Sequence, residues 1–263
     1  MRRLAITLLF LFCIGVSAFA QTISQPAPTS DAHAISSAQQ SIAALTGGAS
    51  ISDVTLNANV ISILGSDNET GTGTFRAKGS SESRVDLTLS SGTLSETRSL
   101  QNGGPTGAWS RNGSAAISQA PHNVLTDASW FFPALSCLSQ YASSSYVFEY
   151  IGQEQHSGVN TQHIQVAMAP STGAPNVQRL STMDFYLDPV SFLPLAIDFK
   201  VHPDRDTNTD IPVEILFANY QTINGIKVPF HIQRMLDGGV VLDIGVTSAV
   251  FNTGILDGSF TLQ

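Results

Sequence analysis

Apolar residues recur along this chain in two rhythms, and the change from one to the other marks its organisation. Over residues 31–45, Ala34, Ile35, Ala38, Ile42 and Leu45 return at helical spacing, with Ser30 or Asp31 placed to cap the first turn and Gly47-Gly48 to end it. From Ile51 the period becomes two: Val54, Leu56, Ala58 and Val60 alternate with polar residues until a turn cluster at 65–69. Residues 70–78, 82–89 and 93–100 follow as three short strands of a meander, separated by Lys78-Gly79-Ser80 and Ser90-Ser91-Gly92. Residues 108–111 and 115–119 can form a hairpin over Asn112-Gly113, the strongest two-residue turn signal in the chain.

Between residues 123 and 141 the period changes again. Thr126 or Asp127 can cap, and Trp130, Phe131, Ala134, Leu135, Leu138 and Tyr141 form an apolar stripe around Pro133, which predicts a second helix with a possible break at that proline. Beyond it, residues 146–151 and 159–168 predict a hairpin through Ser157-Gly158. Alternation is clean at Met183, Phe185 and Leu187, at Leu193 through Val201, and at Ile211 through Phe217. Two more alternating runs start directly after Asn224-Gly225 and after Asp237-Gly238-Gly239. About eleven strands in sequence order with two helical insertions predict a mainly β (α+β) fold: one curved antiparallel sheet, an unclosed half barrel, lidded by two helices. No repeat of 20 to 50 residues is visible, which argues against a propeller or solenoid.

Composition narrows the class. Charged residues are 12% of the 263, about half the usual share, and 42% are hydrophobic, so neither disorder nor a coiled coil is expected. The start reads as a cleaved export signal: Arg2-Arg3, an apolar run from Leu4 to Val16, and small residues at the Ala18-Phe19-Ala20 site. Residues 1–20 are therefore assigned as a signal peptide, 21–30 as a flexible leader with two prolines, and 31–263 as a single domain, in a periplasmic or secreted protein. The formal charge of −8 falls to −10 once the two arginines leave, which disfavours nucleic acid as a partner. With Cys13 removed, Cys137 has no partner for an internal disulfide, and its apolar neighbours read it as a buried structural residue.

The tail carries a resemblance. Met183-Asp184-Phe185-Tyr186-Leu187-Asp188-Pro189, then Leu193-Pro194, then Phe217-Ala218-Asn219-Tyr220 and Ile223-Asn224-Gly225-Ile226-Lys227-Val228-Pro229 resemble the carboxy-terminal strands of the periplasmic lipoprotein-carrier superfamily, LolA/LolB-like. The resemblance covers roughly residues 183–251; the insertion at 109–141 has no counterpart in it. It implies an eleven-stranded open barrel with helices over its mouth, enclosing an apolar cavity that takes acyl chains.

Candidate chemistry is sparse. His33, His122, His156, His163, His202 and His231 are scattered without zinc-site spacing and read as surface or satisfied sheet residues. His202 through Asp210 only partly matches a calcium loop, with Thr209 where Gly is needed, and reads as a solvated acidic loop. Asp184 and Asp198 can share a sheet face, where such residues ordinarily meet water. No nucleophile elbow, phosphate loop or dinucleotide fingerprint occurs, so neither catalysis nor a cofactor or metal is expected. Trp130, Phe131 and Phe132 are the candidate ligand contacts, because a helix cannot bury three consecutive aromatics on one side. The expectation is a monomer that binds a lipid or an acylated protein in an apolar cavity between sheet and helices. The rival expectation is an envelope or extracellular interaction module with a filled core, whose partner is another envelope protein.

Overall fold

The computed structural model describes residues 29–101, 104–126, 128–171, 174 and 176–262. The export segment, residues 21–28 of the leader and the candidate cap Asp127 lie outside the described residues. The remainder forms thirteen strands: β1 (Asp53–Leu64), β2 (Asp67–Lys78), β3 (Glu82–Leu89), β4 (Gly92–Ser99), β5 (Thr106–Arg111), β6 (Ile117–Ser118), β7 (Tyr146–His156), β8 (Val159–Met168), β9 (Met183–Leu187), β10 (Pro194–Val201), β11 (Ile211–Ile223), β12 (Ile226–Leu236) and β13 (Gly239–Phe251).

They make one antiparallel sheet in the order β6-β5-β4-β3-β2-β1-β13-β12-β11-β10-β9-β8-β7. Two meanders, β1–β6 and β7–β13, are fused where β1 pairs with β13, from Val54 opposite Phe251 to Ser62 opposite Leu242. The outer strands β6 and β7 do not pair with each other, so the barrel is open, as expected for this class. The strand count is thirteen, not eleven; β5 and β6 extend one edge as the Asn112-Gly113 hairpin, with Trp109 opposite Ile117.

Turn chemistry explains the hairpins. Asn112-Gly113, Ser157-Gly158, Asn224-Gly225 and Asp237-Gly238 all have positive φ at both residues; the last three pairs are whole two-residue connections, whose twist suits antiparallel strands, while residues 112–116 link β5 to β6. Asp188 ends β9 with an Asx turn, its Oδ1 accepting from Val190 N at 3.1 Å and Ser191 N at 2.6 Å.

The predicted first helix is present as α1 (Ala32–Thr46). Asp31 Oδ1 accepts from His33 N and Ala34 N, and Gly47 closes the helix at φ 59°. Its buried face is mostly small (Ala34, Ser37, Ala38, Ser41) before Leu45, which lets it lie close against β7, β8 and β12. The residues just before it are tied down as well: Asp31 N donates to Phe148 O at 2.8 Å, and Ser30 Oγ accepts from Phe148 N at 3.1 Å. The other short α-turn, α2 (Val177–Leu180), leads into β9.

The second predicted helix is not a helix. Among the described residues, 121–141 form three 3-10 turns, Pro121–Val124, Pro133–Leu135 and Cys137–Gln140, joined by tighter turns. Pro133 supplies the reason: it excludes the helical conformation at Phe132, which is extended at φ −137° and ψ 91°. Ser136 is extended too, with its hydroxyl accepting from Leu138 N, and Ser129 Oγ donates to Leu135 O at 2.6 Å to hold the fold-back. Because the backbone changes direction at each of these residues, Trp130, Phe131 and Phe132 are all buried, at 2%, 0% and 0% exposure, against the expectation that one would point away. This segment and α1 together cover the concave face of the sheet over one continuous apolar core. Cys137 is buried there as expected, its thiol 3.9 Å from Met183 Sδ.

Candidate functional site beneath Trp130

Strand alternation aims Leu94, Glu96 and Arg98 of β4 at the concave face, along with Val85 and Leu87 of β3 and the series Val228, Ile232 and Arg234 of β12. The covering segment lowers Trp130 onto this area. The result is a cavity of about 160 Å³ lined by Ser62, Val85, Leu87, Leu94, Glu96, Trp130, Arg234, Val241 and Leu242. With a water taking ~30 Å³ in the liquid, this is room for about five waters or the end of an alkyl chain.

One side of the cavity is charged. Arg98 Nε donates to Glu96 Oε1 at 2.8 Å, Gln119 Nε2 donates to the same oxygen at 3.0 Å, and Arg98 Nη1 donates to Asn123 O at 3.3 Å. Arg234 places its guanidinium 5.1 Å from the centre of the Trp130 ring, a cation–π contact. Burial alone would raise the Glu96 carboxyl, but Arg98, Arg234 and the Gln119 hydrogen bond outweigh it and hold it down at about 2. Two guanidiniums thus share one carboxylate, which leaves net positive charge beside an otherwise apolar wall. Asn123 fixes the covering segment to the far strands through a paired contact with His202: its Nδ2 donates to His202 O at 2.7 Å and its Oδ1 accepts from His202 N at 2.8 Å.

Of the three candidate aromatics only Trp130 borders this cavity. Phe131 packs on Phe75, ring centres 5.4 Å apart, and Phe132 on Phe251 at 5.9 Å. The charged members Glu96, Arg98 and Arg234 escaped the sequence reading, although one signal for Arg234 was present: it is the next position after Ile232 in the inward series of β12. In the partial calcium-loop match, two of the acidic groups are already engaged. Asp206 accepts from Asn208 N and Thr209 Oγ1, and Asp210 pairs with Lys200, Arg179 and His202. Asp184 and Asp198 do share the outer face, directly opposite each other on β9 and β10.

No protein-family profile and no curated protein sequence matches the chain. Solved structures do. A domain named for outer-membrane lipoprotein sorting, from Vibrio parahaemolyticus, superposes with a TM-score of 0.55 at 12% identity, covering 87% of this chain and 96% of its own. A DUF1329 family protein from Desulfovibrio piger gives 0.56 at 12% identity over 88% and 99%. A LolA superfamily protein from Nitrosomonas europaea gives 0.53 at 13% identity over 87% and 97%. The open antiparallel half barrel of this chain, covered by α1 and a segment of short turns, is therefore a distant LolA-like fold. Among the described residues no helix is long and apolar enough to cross a membrane.

Proposed function

We propose that this chain is an exported binding protein for an acyl chain, carried by a lipid or a lipoprotein, which enters the concave face beneath Trp130. The observation that carries this reading is the cavity itself: apolar walls from β3, β4 and β13, a half-buried arginine at one side, and a lid made of short turns. The alkyl end would occupy the space next to Leu87 and Leu94, and an ester or acidic head would meet Arg234. A longer chain needs more room than 160 Å³, which displacement of the covering segment would supply, bringing Phe131 and Phe132 into contact with the ligand behind Trp130. Three-residue and four-residue 3-10 turns have poorer hydrogen bonding than an α-helix, so a cover built from them is the less costly part of the fold to move. The lipoprotein-sorting name of one similar structure agrees with this reading. Residues 1–20 would deliver the protein to the periplasm or the exterior, where it acts as a monomer without catalysis or cofactor.

The test is native mass spectrometry of the protein purified from its own envelope, followed by lipid extraction. A stoichiometric lipid or acylated peptide supports the reading and names the ligand. A clean apoprotein that also refuses an apolar fluorescent probe overturns it in favour of a protein-interaction module, a second reading favoured by how completely the core is packed.

A further inference from the structure

The outer face of the sheet, away from the cavity, gathers three chemically matched side chains. Asp198 of β10 and Glu214 of β11 are directly opposed cross-strand partners, and Asp184 of β9 stands opposite Asp198 on the other side. Three carboxylates in a row across neighbouring strands repel one another, and like charges at opposed positions destabilise a sheet. Asp184 has compensation, accepting from His163 Nε2 at 2.8 Å and Gln165 Nε2 at 2.9 Å. Glu214 is met by His156, whose Nε2 is 2.8 Å from Oε1. His156 comes from β7, four strands away in the sheet order, because the β7–β8 hairpin is irregular between Tyr150 and Gly152 and its tip reaches over the outer face. The ring is set by stacking on Tyr186, 3.7 Å between centres at 22°.

Asp198 has the Tyr186 hydroxyl beside it, but one of its oxygens is left over. Its Oδ1 is shut off from solvent and has no hydrogen-bond partner among the described residues, a costly state for a carboxylate. One ligand atom from each of His156, Asp198 and Glu214 lies within 4.8 Å of the others, and all three residues line an open depression of about 440 Å³. Lys200 lines the same depression, but its ammonium is bonded to Asp210 at 2.6 Å.

We infer that His156, Asp198 and Glu214 form a binding site for a divalent first-row transition cation, zinc foremost, with the remaining coordination position open to the depression. One imidazole nitrogen and two carboxylate oxygens suit this class of ion, whereas thiolate-seeking ions find no sulfur and calcium prefers an all-oxygen set. Donor atoms ~2.1 Å from a tetrahedral zinc lie about 3.4 Å apart. Since all three atoms lie within 4.8 Å of one another, no separation need close by more than about 1.4 Å, within reach of the Glu214 side chain and the hairpin tip. The cation would replace the His156–Glu214 hydrogen bond, take up the orphaned Asp198 oxygen and cancel the repulsion along the row. Tyr186 would orient the imidazole from outside the ligand set.

The experiment uses tag-free mature protein stripped with chelator, titrated with Zn²⁺ by calorimetry and with Co²⁺ by visible absorption. Expected are one ion per chain, a cobalt ligand-field band between about 500 and 650 nm, and a Zn²⁺-dependent rise in Tm. Asp198→Asn and Glu214→Gln should each weaken binding tenfold or more and abolish the Tm rise. His231→Ala, which removes a separate histidine paired with Asp243 on the same face, should leave binding unchanged. Folding is controlled by Asp198→Asn, which removes the orphaned charge and should raise the Tm of the metal-free protein. Absence of Zn²⁺ heat, or equal affinity in the Asp198→Asn and Glu214→Gln proteins, overturns the inference.

Discussion

The guanidinium of Arg234 lies over the indole of Trp130, 5.1 Å from the ring centre, and this contact joins the covering segment to the middle of the sheet. It also forms the boundary of the cavity, because both residues line it. Removing the indole should therefore affect stability and ligand access together. Trp130→Ala is expected to cost about 3–4 kcal/mol in denaturant unfolding. Trp130→Phe keeps an aromatic roof, should cost about 1 kcal/mol, and should lower retention of an apolar fluorescent probe severalfold. Unchanged retention in a well-folded Trp130→Phe protein would count against the cavity as the ligand site.

Acid should loosen the same region. Although burial works to raise the Glu96 carboxyl, Arg98, Arg234 and Gln119 outweigh it and hold it down at about 2 in the fold, against an ordinary value of 4.5. A depressed folded value stabilises the protein at every pH above the unfolded value, and the stabilisation fades as pH falls from about 4.5 to about 2. The amount is on the order of 3 kcal/mol. Glu96→Gln should remove that slope from stability measured between pH 5 and 2.5, and should lower stability at pH 7 by a similar amount, since two guanidiniums then lack their anion. A pH profile identical to that of the parent would refute this assignment.

Asp53 fastens the start of β1 to the chain leaving β13. Its carboxylate accepts from Thr253 N at 2.8 Å, Gly254 N at 3.0 Å, Thr253 Oγ1 at 3.0 Å and Ser52 Oγ at 3.0 Å. Although burial works to raise its pKa, these bonds prevail and lower it, so this contribution too is present at neutral pH and lost in acid. Asp53→Ala strands two backbone donors and should cost about 2–3 kcal/mol. Amide hydrogen exchange should show the loss at Thr253 and Gly254 first; protection equal to that of the parent there would contradict the assignment.

Gly47 ends α1 at φ 59°, and a Cβ at that position would stand 2.8 Å from Gly225 O in the β11–β12 turn. Both the left-handed backbone and this close approach require glycine. Gly47→Ala should cost about 2 kcal/mol or more, whereas Gly48→Ala, with open space around its position, should cost only the backbone strain of about 1 kcal/mol. Thermal melts of the two variants compare them directly, and equal losses would show that the Gly225 contact is unimportant.

Much of the architecture was legible because it rests on local physics. Period-two alternation marked the strands, Asp31 and Gly47 bounded α1, and Asn or Asp followed by Gly marked three of the four hairpin turns. The second helix misled because its apolar spacing is shared by any compact fold-back, and Pro133 decided against helix only in combination with the capping at Ser136 and the Ser129–Leu135 bond. Of the residues lining the cavity, the sequence singled out Trp130 but not Glu96 or Arg234, since charged residues at inward strand positions look like ends of the apolar pattern until a cover closes over them.

The class of fold, the helix, the hairpins and the burial of Cys137 follow from side-chain period and backbone preference over a few residues. Assembly of the sheet set the pairing of β1 with β13 and turned three adjacent aromatics inward. It alone brought His156 within 2.8 Å of Glu214, 58 residues further along. These relationships depend on how a twisted sheet curves and where a hairpin tip lands. Such long-range geometry leaves no periodic trace in the chain, because each partner obeys only its own strand's alternation.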